Sequence, residues 1–199
     1  NGANINAFDK DGYTALMYAA AFGKKEIADL LLGTDDVDVN VKNNNGNTAL
    51  ILAVNDGHNS VATSLLQDLS IDVNAKNHAG DTALILAAQF GYNSVATSLL
   101  EVPSIDVDAK DWHNSTALIH AAGTGNEEIA NLLIAKGANV NVMDERGDTA
   151  LILAVQAGIN GAATSLLKDH SIDVDAKAED GLTALMHAAK TGNEEIANL

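Results

Sequence analysis

The chain of 199 residues contains no cysteine. Disulfides, thiolate catalysis and cysteine-based zinc sites are therefore excluded, and the composition fits a cytoplasmic setting. Proline occurs once, at Pro103. Aromatic residues make up only 4% of the sequence, although 47% of it is hydrophobic. A core can form, but Ala, Leu, Ile and Val must build it. Basic residues are scarce: 11 Lys and Arg stand against 27 Asp and Glu, a formal net charge of -16. Such a surface repels phosphate, which disfavours nucleic acid and membrane as partners and favours a protein with a basic surface. No apolar run nears the ~18 residues of a membrane helix.

Catalytic patterns are missing too. The sequence shows no Gly-rich phosphate loop, no Gly-x-Ser-x-Gly elbow and no His-Glu-x-x-His. Its histidines and serines follow a regular beat instead of converging, so the chain reads as non-enzymatic, with no cofactor. His78 and His113 offer at most two metal ligands without a third, so no metal site is expected. Glu127–Glu128 and Glu194–Glu195 read as solvated charges at helix starts.

The regular beat organises everything else. Thr-Ala-Leu recurs at Thr14, Thr48, Thr82, Thr116, Thr149 and Thr183, in steps of 34, 34, 34, 33 and 34 residues. Gly23, Gly57, Gly91, Gly125, Gly158 and Gly192 keep the same time. The turn residue two before each Thr is glycine except at Asn114, and Asn is a common non-glycine visitor to positive φ. A fixed period of this size marks a stacked array.

Each repeat reads as two short helices and an extended finger. Thr48 suits an N-cap, Ala49 to Val54 an apolar helix, and Gly57 a left-handed stop. Val61, Ala62, Leu65 and Leu66 form the stripe of a second helix. Ile71, Val73 and Ala75 alternate along an arm, and Asn77 to Gly80 close a tight turn. Helices this short persist only by stacking on copies of themselves.

The pattern resembles the ankyrin repeat. The Thr-Pro-Leu-His-x-Ala signature of that family appears as TALMYA, TALILA, TALILA, TALIHA, TALILA and TALMHA. The finger appears as DKDGY (Asp9 to Tyr13) and DERGD (Asp144 to Asp148), and the Gly-Ala-Asp-Val-Asn ending as GANVN (Gly137 to Asn141). Tetratricopeptide arrays share the period, but their Trp, Tyr and Pro landmarks are missing. The resemblance implies an all-α repeat solenoid, an ankyrin array of helix–turn–helix units with β-hairpin-like fingers. It places one array over 1–199: the tail of a preceding repeat at 1–8, repeats at 9–42, 43–76, 77–110, 111–143 and 144–177, and a partial repeat at 178–199. Two departures stand out. Ala replaces the family's Pro in all six repeats. Met17, Ile51, Ile85, Ile119, Ile152 and Met186 replace its His, trading loop hydrogen bonds for apolar burial. The fourth repeat also lacks a residue present before most fingers, so its turn should differ.

The resemblance implies a protein partner, bound on the concave surface of fingers and first helices. The chain's few aromatics fall mostly in the variable slots there, and exposed aromatics anchor interfaces. Tyr13, Phe22, His78, Asp81, Phe90, Trp112, His113 and Arg146 are the candidate contact residues. Phe90 and Trp112 should reach one side together. The alternative is a structural spacer segment of a longer array, which the near-identity of the second and third repeats favours. Uncapped ends predict either fraying at both ends or end-to-end self-association through apolar faces that include Leu185, Ile196 and Leu199.

Overall fold

The computed structural model describes residues 2 and 4–198, so Asn1, Ala3 and Leu199 lie outside the described residues. Among the described residues twelve helices follow one another in pairs, one pair to a repeat. They are α1 (Ala15–Ala21) with α2 (Lys25–Leu32), α3 (Ala49–Asn55) with α4 (Asn59–Leu65), and α5 (Ala83–Phe90) with α6 (Asn93–Leu100). Then come α7 (Ala117–Thr124) with α8 (Glu127–Ala135), α9 (Ala150–Gln156) with α10 (Asn160–Leu167), and α11 (Ala184–Thr191) with α12 (Glu194–Ala197). Contacts divide the chain into an N-terminal unit, residues 1–87 with 94–105, and a C-terminal unit, residues 88–93 with 106–199.

The repeated threonines start the first helices. Thr48 holds an extended backbone, and its hydroxyl accepts from the Ile51 amide. Thr14, Thr116, Thr149 and Thr183 do the same, and Thr82 accepts from Ile85 at 3.2 Å. Each cap satisfies one of the amides that a helix start leaves free. At the other end of α7, Gly125 takes the left-handed conformation at φ 81°.

Stacking supplies the stability that helices of four to nine residues lack. In the N-terminal unit α1 packs on α2 and α3, and α4 on α2 and α3. In the C-terminal unit α7 packs on α8 and α9, α9 on α10 and α11, and α12 on α10 and α11. The core is aliphatic. Ala53, Val54, Val61, Ala62 and Leu65 are buried in one unit, Ala121, Ile129, Ala130, Leu133, Ala162 and Leu166 in the other. Leu66, expected in the stripe of α4, sits past its end and is half-buried. Of the six residues replacing the family's His, five are buried; Met186 is 49% exposed.

Fingers replace strands. The described residues hold only isolated antiparallel bridges, Phe8 to Thr14 and Met143 to Thr149. Asparagines tie several of the finger roots to the next repeat. Asn40 Nδ2 donates to the Ser70 carbonyl at 2.8 Å while its Oδ1 accepts from the Asp72 amide at 2.7 Å. Asn6 and Asn141 form the same two-way bridges, to Asp36 and Asp38 and to Ser171 and Asp173. Asp108 stands at this position in its own repeat and accepts from the Asn139 amide at 2.9 Å. The shorter turn of the fourth repeat does differ: Gly137 turns left-handed at φ 84°, and the Ala138 amide donates to the Leu133 carbonyl.

Candidate interaction surface

The first five fingers are each built around one side chain at the base. Asp9 Oδ1 accepts from the amides of Asp11 and Tyr13, both at 2.9 Å. Asn43, Asn77, Asp111 and Asp144 repeat the arrangement two and four residues on. Neighbouring fingers are joined through their backbones: Asn44 N to Asp11 O and His78 N to Asn45 O in one unit, Glu145 N to His113 O and Glu179 N to Arg146 O in the other.

The second oxygen of the base reaches the first helix when a polar residue stands nine positions on. Tyr18 donates its hydroxyl to Asp9 Oδ2 at 2.6 Å. His120 Nε2 lies 2.8 Å from Asp111 Oδ2, and Asp111 is buried. The Tyr18 hydrogen bond pulls the Asp9 carboxyl below the usual range, and the same bond lifts the Tyr18 hydroxyl. Asn43 has the apolar Leu52 nine residues on in sequence, and its buried Nδ2 has no partner. The last finger starts at Ala178, so His187 lacks this acid and lies 3.2 Å from the Gln156 amide instead.

In the N-terminal unit the rings of Tyr13, Tyr18 and Phe22 run in sequence. Tyr13 and Tyr18 have centroids 5.2 Å apart and tilted; Tyr18 and Phe22 are 6.3 Å apart and within 6° of parallel. Phe22 is 64% exposed and Tyr18 44%. Tyr18 was not among the residues the sequence singled out, although its spacing of four from Phe22 on one helix face carried the signal. His78 is exposed on its finger, and half-buried Asp81 takes the Asn77 amide on its carboxylate at 3.2 Å.

In the C-terminal unit Trp112 is 73% exposed and Phe90 46%. Phe90 packs on Tyr92, with centroids 5.8 Å apart. His113 Nδ1 sits 2.8 Å from Glu145 Oε1, and this hydrogen bond raises the imidazole above its usual 6.5. Arg146 is exposed at the next tip and lines two clefts with Asp148 and Gln156. Asp148 and Ser115, which occupy variable finger slots, are buried. Burial, with the Asp144 charge second, pushes the Asp148 carboxyl above the usual range.

Two expectations change. Glu128 and Glu195 are not merely solvated: they accept side-chain hydrogen bonds from Asn93 and Asn160, one repeat earlier. Ile196, expected on an exposed end face, is buried, lining an apolar cleft with Leu151, Leu167 and Leu185; Leu199 lies outside the described residues.

A family model of ankyrin repeats, in three copies, matches residues 1–77, 70–144 and 136–199. The chain belongs to the ankyrin repeat family. The solved ankyrin repeat protein EF0377 superposes with a TM-score of 0.87 at 24% identity, over 99% of this chain and 97% of that one. An ankyrin repeat domain from Acinetobacter baumannii AYE superposes with a TM-score of 0.85 at 30% identity, over 92% and 94%. A 64-residue segment is 41% identical to human neurogenic locus notch homolog protein 4; it is 32% of this chain and spans 3% of that protein. Ankyrin repeats serve generally as protein–protein interaction modules. No helix among the described residues is long and apolar enough to cross a membrane.

Proposed function

We propose that this ankyrin chain binds a partner protein with a basic surface through its fingers and first helices, without catalysing a reaction. In the N-terminal unit the contacts are Tyr13, Phe22, His78 and Asp81; in the C-terminal unit they are Phe90, Trp112, His113 and Arg146. One observation carries this reading: the chain builds its core without aromatics and leaves Trp112, Phe22 and Phe90 in water. Large rings anchor interfaces because they bury area with few rotors to freeze. The net charge of -16 supports a basic partner.

The test compares the chain with a Phe90→Ala, Trp112→Ala double variant against a partner identified by cross-linking through a photoreactive residue at position 112. A buried aromatic anchor costs about 2 kcal/mol or more, roughly thirtyfold in affinity. The double variant should lose at least that much while melting as before, because neither ring belongs to the core. Salt should slow association. An unfolded variant would make these rings structural; unchanged binding would move the site elsewhere. The spacer reading rests on the near-copies in α4 and α6, NSVATSL and NSVATSLL. It requires that no specific cross-link form at all.

A further inference from the structure

We propose that Tyr13, Tyr18 and Phe22 form a seat for an arginine side chain of the partner protein, which rests on the reading above and names the chemistry recognised in the N-terminal unit. The three rings are continuous, with successive centroids 5.2 and 6.3 Å apart. None of them is a buried core residue: Tyr13 is half-buried, and Tyr18 and Phe22 stay 44% and 64% exposed. Yet the centre of the row is held in place. The Tyr18 hydroxyl is tied to Asp9 Oδ2, while Asp9 Oδ1 holds the finger amides of Asp11 and Tyr13. A ring fixed before binding loses little freedom when a ligand arrives.

The charge around the rings chooses the ligand. Asp9 and Asp11 both act on the Tyr18 hydroxyl, Asp9 through its hydrogen bond and its charge, Asp11 through its charge alone. Lys10, exposed between them, offsets one of these negative charges and leaves the finger acidic. An aliphatic side chain would use the rings and waste the carboxylates. A cation uses both, because ring faces attract positive charge. Guanidinium fits better than ammonium: it is flat, weakly hydrated, and can stack on a ring while its edge donates to a carboxylate such as that of Asp11.

The experiment is an NMR titration of the whole chain with acetylated, amidated peptides Gly-Arg-Gly-Arg-Gly, its lysine counterpart and its citrulline counterpart, which keeps the shape without the charge. At peptide concentrations to about 10 mM the arginine peptide should shift the ring protons of Tyr13, Tyr18 and Phe22. Lysine should bind more weakly and citrulline weakest. Tyr18→Leu with Phe22→Leu should weaken arginine binding roughly five- to thirtyfold, whereas Tyr18→Phe, which keeps the ring, should lose far less. Equal binding of citrulline, tighter binding of lysine, or unchanged binding by the leucine double variant overturns the seat. The only tryptophan, Trp112, lies in the other unit and reports separately by its emission. A response of Trp112 with silent N-terminal rings overturns the arginine seat and leaves partner binding through Phe90 and Trp112 standing; silence from both also overturns the seat, and the double variant at positions 90 and 112 then decides the broader reading by itself.

Discussion

Single residues differ here by what the neighbouring repeat puts against them. Gly12 and Gly181 occupy the same finger turn with φ of 82° and 80°. A Cβ on Gly12 would meet Asn43 Cα at 2.9 Å and Asn44 N at 3.0 Å, backbone atoms that cannot step aside; a Cβ on Gly181 meets nothing within 4 Å. Gly181→Ala should therefore cost only the left-handed strain, about 1–2 kcal/mol. Gly12→Ala should cost at least about 1 kcal/mol more. Urea denaturation followed by circular dichroism separates the two, and equal losses would mean that the fingers are not held together there. His113 supplies a titration. Its folded pKa is raised above 6.5 by Glu145, so the protonated ring is favoured by folding. The stabilisation is fully present below pH 6.5 and fades as pH rises through the higher folded value. The ring is exposed, so the effect on stability is small, but the titration is visible by NMR. Glu145→Gln should bring the midpoint back toward 6.5.

Among the elements, the first helices were the most legible from sequence. Thr at the cap, a small-residue helix and glycine beyond it are local signals, and all six helices start one residue after the threonine. Asn114 was legible for the same reason, and it adopts φ 59°. The partners across repeats were not. His120 and His187 share one slot, yet one bonds Asp111 and the other meets Gln156. The difference lies nine residues away, in Asp111 against Ala178, and only the fold shows that this distance closes. Tyr18 escaped notice because its slot falls in the middle of the first helix, where other repeats carry Leu or His, away from the finger tips and helix ends. The asparagine bridges belong to this scale too. Asn40→Ala removes a donor and an acceptor that link two repeats and should cost roughly 1–3 kcal/mol. Asn40→Asp keeps the acceptor for the Asp72 amide and loses the donor to Ser70, so it should fall between. If both variants melt like the original chain, the bridge is an exposed contact that water replaces without loss.

At the scale of the molecule, charge is the uncompensated quantity. With a net -16, the 27 acidic residues far outnumber the 11 basic ones; Lys25 with Asp29 is an i,i+4 pair on one exposed helix. Like charges spread over a folded surface repel one another, and added salt screens them over about 10 Å at 0.1 M. The melting temperature should accordingly rise between low salt and about 0.2 M sodium chloride, the opposite of what a surface held by ion pairs would show. Calorimetry at fixed pH measures this. The same salt should weaken binding to a basic partner, so the two responses move in opposite directions.

The asparagine bridges also set a clock for biosynthesis. Asn40 must wait for Ser70 and Asp72, and Asn141 for Ser171 and Asp173, gaps of 30 and 32 residues. At roughly 5–20 residues per second, a ribosome delivers each awaited partner within about two to six seconds. Each such side chain thus has its partner synthesised within a single further repeat, so its pairing need not wait for the rest of the array.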